Sequence, residues 1–232
     1  IDTICGCFGV GLIPTGSADP YALRRCAIGV LNIILDRSYQ VSIPELVEQS
    51  LGLLEEKLTR PRAEVQADVV EFIRLRLANM LTSREFAADV VDAVLSARFD
   101  EPGDAVARVE AVAALKTAAE FEPLAVAFKR VGNIIKGGVD NPVQADLFEA
   151  DCERALAAAV ESARQSIDDQ VNKGDYGAAL QTIAALREPV DAFFDGVMVM
   201  ADDEKVKANR LALLTQVASL YADIADFTRI AA

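Results

Sequence analysis

The sequence contains no histidine, and this absence excludes several kinds of catalytic and metal chemistry. Neither a Ser-His nor a Cys-His pair can form, and no imidazole can hold a metal ion. The four cysteines, Cys5, Cys7, Cys26 and Cys152, do not follow the spacing of a zinc site. We expect them to be reduced thiols in apolar surroundings. The sequence therefore predicts no catalytic residue and no metal site.

Long apolar runs are also missing, although 52% of the residues are hydrophobic. No run approaches the roughly 18 residues that a membrane-spanning helix needs, and the longest candidate, 27–35, ends in charge. The N terminus shows no signal-peptide pattern, and it starts at Ile1 rather than Met, which is typical of a piece of a longer protein. These features predict a cytoplasmic chain with no membrane partner.

The net charge is −13, from 36 acidic and 23 basic residues. This is the wrong sign for a protein that coats nucleic acid without specificity, and we expect no DNA partner. Acidic residues dominate from 140 to 204, whereas 129–136 and 205–210 contain basic residues and no acidic one. Two local basic stretches therefore interrupt an acidic background.

The apolar residues recur at helical spacing nearly everywhere, and the alternation typical of strands is absent. Ser42 and Glu45 form a capping-box pattern, and Asp175 and Asp202 are expected to cap later helices. The sequence thus predicts an all-α fold. Pro102 and Gly103, after an acidic pair, favour a boundary that separates a helical layer, 1–101, from a helical bundle, 102–232. Residues 173–183 resemble the start of a tetratricopeptide helix, but no second copy follows.

The stretch GVGLIPTGSADPYALRR, residues 9–25, has glycines spaced nearly as in a phosphate-binding loop. It lacks the lysine between Gly16 and Ser17 that such a loop requires, so nucleotide binding is not expected here. Instead, Ser17 or Asp19 is expected to cap a helix that starts at Pro20. Arg24 and Arg25 would project from its second turn, where they either pair with acids of the same domain or contact phosphate.

Residues 9–25 resemble the PTGS-x-DP-[FY]-ALRR signature of the beta subunit of bacterial heterotetrameric glycyl-tRNA synthetase. The segments FKRVGNII (128–135), LFE (147–149) and 187–230 resemble the end of that subunit, an all-helical anticodon-binding domain of the DALR type. The resemblance implies that 1–101 is the tail of an HD-like body, whose His-Asp pair this chain lacks, and that 102–232 is the anticodon-binding bundle.

The family enzyme joins glycine to tRNA(Gly) with ATP, through a glycyl-adenylate. In the family, the alpha subunit of an alpha2-beta2 complex carries the catalytic site, and the beta subunit mainly grips tRNA. The resemblance therefore implies that this chain is a non-catalytic part of a glycine–tRNA ligase. Its partners would be tRNA(Gly) and the alpha subunit, and it would need no cofactor of its own. The competing interpretation is an acidic helical scaffold, similar to tetratricopeptide proteins, that has no RNA role.

Single-stranded RNA loops are read by stacking and by hydrogen bonds to base edges, and a few cations suffice to position the backbone. The candidate RNA contacts are Lys129, Arg130, Asn133, Lys136, Lys205, Lys207, Asn209, Arg210, Arg24 and Arg25. The asparagines would meet base edges and the cations would meet phosphates. Alternatively, Asn209 and Arg210 lock the last helix against residues 191–195. Four rings on apolar stripes are expected to be core: Phe148, Phe193, Phe194 and Phe227.

Overall fold

The computed structural model describes residues 1–119, 121–135 and 141–231. Within these ranges the secondary structure is helical, apart from one isolated bridge between Thr15 and Ala18. This confirms the all-α prediction. The chain divides into two compact units, Ile1–Ala107 (unit 1) and Arg108–Ala232 (unit 2).

Unit 1 contains five helices and the start of a sixth. They are α1 (Asp2–Gly9), α2 (Leu23–Asp36), α3 (Ile43–Leu53), α4 (Arg62–Ser83), α5 (Ala88–Ala97) and α6 (Pro102–Lys116), which continues into unit 2. The long helix α4 packs against α1, α2, α3 and α5, so it forms the centre of the unit. The rings of Phe8 and Phe72 meet in this core with their centroids 5.1 Å apart.

Local sequence signals explain where α3 begins. The Ser42 hydroxyl accepts a hydrogen bond from the Glu45 N–H at 3.2 Å, and Pro44 lies in the first turn, where no N–H is needed. The predicted cap at Ser42 is confirmed.

The beginning of α2 differs from the prediction. Its first residue is Leu23 rather than Pro20, and the preceding residue, Ala22, is left-handed with φ of 52°. Asp19 still caps the helix, because its carboxylate accepts the N–H groups of Leu23 at 2.8 Å and Arg24 at 3.0 Å. The helix begins three residues later than predicted, and this places Arg24 in the first turn rather than the second.

Unit 2 contains the rest of α6 and five further helices. They are α7 (Phe121–Ile134), α8 (Asp151–Asn172), α9 (Tyr176–Ala184), α10 (Arg187–Gly196) and α11 (Glu204–Ser219). The helix α8 packs against α9 and α10, and α7 packs against α10 and α11. The turn Phe227–Arg229 closes over α7. The four rings predicted to be core, Phe148, Phe193, Phe194 and Phe227, are all buried.

The helix ends of unit 2 confirm one predicted cap and correct another. Asp175 caps α9 by accepting the Ala178 N–H at 3.0 Å. The cap of α11 is Asp203 rather than Asp202, since the carboxylate of Asp203 accepts the N–H groups of the next turn. The helix stop expected at Gly137 and Gly138 lies outside the described residues.

The structure leaves all four cysteines as free thiols. Across 1–119, 121–135 and 141–231, no group of three or more potential ligands is placed to hold a metal ion. No helix in those ranges combines the length and the apolar character needed to cross a membrane.

Candidate nucleic-acid interface

The helix α7 presents basic and amide side chains on its outer face. Its inner face is buried through Leu124, Phe128 and Val131, and residues on the opposite side of the helix face outward. Lys129 is half-buried, and Arg130 and Asn133 are exposed. No ion pair joins Lys129 or Arg130 to a carboxylate in the described part of the chain. We call Lys129, Arg130 and Asn133 the α7 patch.

The position of Arg130 is set by an aromatic ring. Its guanidinium carbon lies 4.0 Å from the centroid of the Phe194 ring on α10. A cation over a ring face is attracted by the ring quadrupole, and stacking leaves the N–H edges of the guanidinium open to an anion. Arg130 is therefore held in place and can still donate to phosphate.

A hollow of about 350 Å³ opens beside the α7 patch. Its lining includes Phe128, Gly132, Ile135, Tyr221, Ala222 and Asp226. Gly132 lies three residues after Lys129, so the hollow and the patch share adjacent faces of one helix. A volume near the lower end of small-molecule sites suits one planar ring.

One residue of the hollow carries a polar group that lacks a partner. The hydroxyl of Tyr221 is buried, and no hydrogen-bond partner for it exists among the described residues. Burial, and to a smaller extent the charge of Asp226, raises the pKa of Tyr221 far above its ordinary value. The hydroxyl is therefore neutral, but it is enclosed by protein and does not open into the hollow.

Asp226 is held as a carboxylate at the rim of the same hollow. Burial raises its pKa, but hydrogen bonds from Thr228 and Arg229 outweigh this effect, so the pKa lies below its usual range. Asp226 thus supplies a fixed acceptor at the rim of the hollow. Such an acceptor can pair with a donor on the edge of a nucleobase.

The second predicted basic stretch, at the start of α11, is largely neutralised. Lys207 pairs with Glu204 at 3.2 Å, whereas Lys205 is exposed. Lys205 lines a different hollow, together with residues of the segment 141–147. This stretch therefore offers one free cation among the described residues, rather than a patch.

Asn209 and Arg210 lie inside unit 2, which corrects their assignment as RNA contacts. Asn209 accepts a hydrogen bond from the Gln144 N–H at 2.7 Å and donates to the Gln144 carbonyl oxygen at 3.0 Å. Arg210, 5% exposed, bonds Glu153 and Glu149 at 2.8 Å each and the Met198 carbonyl oxygen at 3.1 Å. Both side chains do lock the last helix, but against these residues rather than against 191–195.

Three of the predicted contacts remain. Lys136 falls outside the described residues. Arg24 and Arg25 belong to unit 1, where Arg25 is exposed and Arg24 donates to the Gly16 carbonyl oxygen at 2.7 Å. Among the described residues, Arg24 pairs with this backbone carbonyl and not, as expected, with an acid. Of the predicted contacts, the structure brings together Lys129, Arg130 and Asn133.

Comparison with known proteins relates both units to translation. A family model described as "Glycyl-tRNA synthetase beta subunit" matches residues 1–96, and one described as "DALR anticodon binding domain" matches 124–231. The glycine–tRNA ligase beta subunit of Syntrophotalea carbinolica is 62% identical over all 232 residues. The chain belongs to the family of glycyl-tRNA synthetase beta subunits.

Two other members of this beta-subunit family align over all or nearly all of the chain. The glycine–tRNA ligase beta subunit of Geobacter metallireducens is 56% identical over 232 residues, and that of Geobacter sp. strain M21 is 54% identical over 230. The chain spans about a third of the length of these relatives, 34% in the first and 33% in the second. The α7 patch and its hollow fall within the range that matches the anticodon-binding domain.

Proposed function

We propose that unit 2 binds the anticodon loop of tRNA(Gly), as part of a glycyl-tRNA synthetase beta subunit. The observation that carries this proposal is the match of 124–231 to an anticodon-binding domain that contains the α7 patch. On a chain with a net charge of −13, cations without carboxylate partners are the natural contacts for a polyanion.

In this proposal, a loop base enters the hollow beside α7. The ring would lie against Ile135 and Ala222, while the Asp226 carboxylate accepts a hydrogen bond from a donor on its edge. Lys129 and Arg130 would hold the flanking phosphates, and Asn133 would contact a neighbouring base. Because most of the remaining surface is acidic, other RNA would be repelled, which favours discrimination over raw affinity.

For the whole enzyme, we propose that the chain supports the ATP-dependent attachment of glycine to tRNA(Gly). The alpha subunit of an alpha2-beta2 complex would carry the ATP site and the chemistry, and this chain would supply no catalytic residue or cofactor. Its site of action would then be the cytoplasm, where tRNA is charged.

Filter binding of the labelled anticodon stem-loop of tRNA(Gly) at several salt concentrations tests the RNA proposal. Each neutralised phosphate contributes a slope of about 0.7 to 0.9 in a plot of log affinity against log salt, so two cations predict a slope of roughly 1.4 to 1.8. A stem-loop with a different anticodon serves as the matched control and should bind more weakly. If the chain behaves as an acidic scaffold, neither RNA will bind at any salt concentration, and the proposal is wrong.

A further inference from the structure

Unit 1 contains a cleft between α2 and α4 that collects arginines without acidic partners. Its volume is about 440 Å³. The polar side chains that line it are Arg24, Asn32, Arg76, Asn79, Ser83 and Arg84. Such a concentration of positive charge is unexpected on an acidic chain, and the partners of each arginine show whether this charge is neutralised.

None of the three arginines forms an ion pair with a carboxylate in the described part of the chain. Arg24 donates to the Gly16 carbonyl oxygen, and Arg76 donates to the Phe72 carbonyl oxygen at 3.4 Å while its guanidinium lies 4.8 Å from the Phe72 ring centroid. Arg84 is exposed, and no hydrogen bond is described for its side chain. Elsewhere in unit 1, Arg60, Arg62 and Arg74 all have carboxylate partners.

The nearest acids do not neutralise this cleft. The carboxylate of Asp19 is occupied by two backbone N–H groups at the start of α2. Asp36 lies on an adjoining hollow that also contains Arg84, but its ion-pair partner is Arg37 at 3.6 Å. Burial and the neighbouring charge of Arg24 lower the pKa of Arg76, and the charge of Asp19 offsets this only in part, so like charges do face each other here.

Like charges that are held together without a counter-ion cost free energy in the unliganded protein. A phosphate group relieves this repulsion, and guanidinium groups match phosphate oxygens with paired donors. The amides of Asn32 and Asn79 and the hydroxyl of Ser83 add uncharged donors around the same space. The chemistry of the cleft therefore suits a phosphate diester surrounded by several donors.

We propose that this arginine cleft binds backbone phosphates of tRNA, at a place other than the anticodon loop. The tRNA partner is taken from the proposed function, but the surface belongs to unit 1 and uses none of the α7 residues. The cleft would read no sequence, because its donors address phosphate oxygens rather than base edges.

The test measures binding of full-length tRNA(Gly) and of its isolated anticodon stem-loop to the 232-residue chain and its variants. Arg84→Gln is the first variant, because the Arg84 side chain forms no hydrogen bond or ion pair with the described residues. Arg76→Gln with Arg84→Gln is the second, and Lys57→Gln, an exposed cation elsewhere in unit 1, is the charge-matched control. Thermal melts show that each variant is folded.

For full-length tRNA, Arg84→Gln should lower the affinity about tenfold and reduce the salt slope by about 0.7 to 0.9. The double variant should lower both further, Arg84→Lys should restore most of the affinity, and Lys57→Gln should leave it unchanged. Losses no larger than that of Lys57→Gln would overturn the proposal.

Two further arms separate the possible sources of phosphate and the two RNA sites. Binding of the stem-loop should survive the arginine substitutions; an equal loss there would support phosphate binding by the cleft but contradict the location of the anticodon in unit 2. Tripolyphosphate is the probe for a free phosphate ligand. If it binds in an arginine-dependent way while tRNA affinity stays unchanged in every variant, the assignment to RNA is wrong.

Discussion

Arg210 on α11 and Glu153 on α8 form a buried ion pair, with the Arg210 Nε 2.8 Å from the Glu153 Oε1. The two residues are 5% and 0% exposed. The other carboxylate oxygen of Glu153 accepts the backbone N–H groups of Glu149 and Ala150, at 2.8 Å each. A single carboxylate thus joins the last helix to the first turn of α8.

Removing one member of this pair should destabilise unit 2 strongly. For Glu153→Gln we expect a loss of up to about 3–5 kcal/mol in the free energy of unfolding, because Arg210 loses its buried carboxylate partner and keeps only Glu149, whose side chain is largely exposed. Glu161→Gln on the exposed face of α8 is the control and should change stability little. Chemical denaturation followed by circular dichroism measures both. A small effect of Glu153→Gln would show that the pair contributes little.

The same carboxylate predicts how stability depends on pH. Burial raises the pKa of Glu153, but the bonds from Arg210 and the backbone outweigh it, so the pKa is lowered from its usual 4.5. A lowered pKa in the folded state means that the stabilisation is complete above about 4.5 and is lost as the pH falls through the folded value. Acid melts should show a weaker pH dependence in Glu153→Gln below this point. If stability changes with pH equally steeply in the parent and in Glu153→Gln, Glu153 does not cause this pH dependence.

Phe194 should matter for both folding and RNA binding. Its ring is 7% exposed, and we expect Phe194→Ala to cost about 3–5 kcal/mol of unfolding free energy. Met198→Ala is the control, since Met198 is 76% exposed and should tolerate truncation. Arg130 also loses the ring on which it lies, so the folded fraction should bind tRNA more weakly. A melting temperature equal to that of the parent would place the ring outside the core.

Local signals explain what the sequence could predict. The caps at Ser42 and Asp175 depend on residues within one turn, and they are confirmed. The Glu153–Arg210 pair joins residues that are 57 positions apart, which no local pattern reveals. A signal was nevertheless present: Arg210 lies four residues after Val206 and three before Leu213, both buried. A charge on a buried stripe indicates a partner rather than an external ligand.

The sequence also does not predict the arginine cleft. The motif singles out Arg24, but Arg76 lies on α4, a helix recognised mainly by its apolar stripe, and Arg84 directly follows the end of that helix. Neither has an acidic residue three or four positions away, whereas Arg74 has Glu71 at that distance. Unpaired spacing of this kind marks cations that are not neutralised on their own helix. Only the packing of α2 against α4 shows that they line one cleft.

The most direct measurement of the central claim is the affinity of the tRNA(Gly) anticodon stem-loop for the variant Lys129→Glu with Arg130→Glu. The control has the same charge change elsewhere in unit 2, Arg164→Glu with Lys173→Glu, and circular dichroism verifies the helical content of both. If the α7 patch holds the loop, the first variant should lose at least about tenfold in affinity, while the control keeps nearly all of it. Equal affinity of the two variants would contradict the claim that α7 forms the RNA interface.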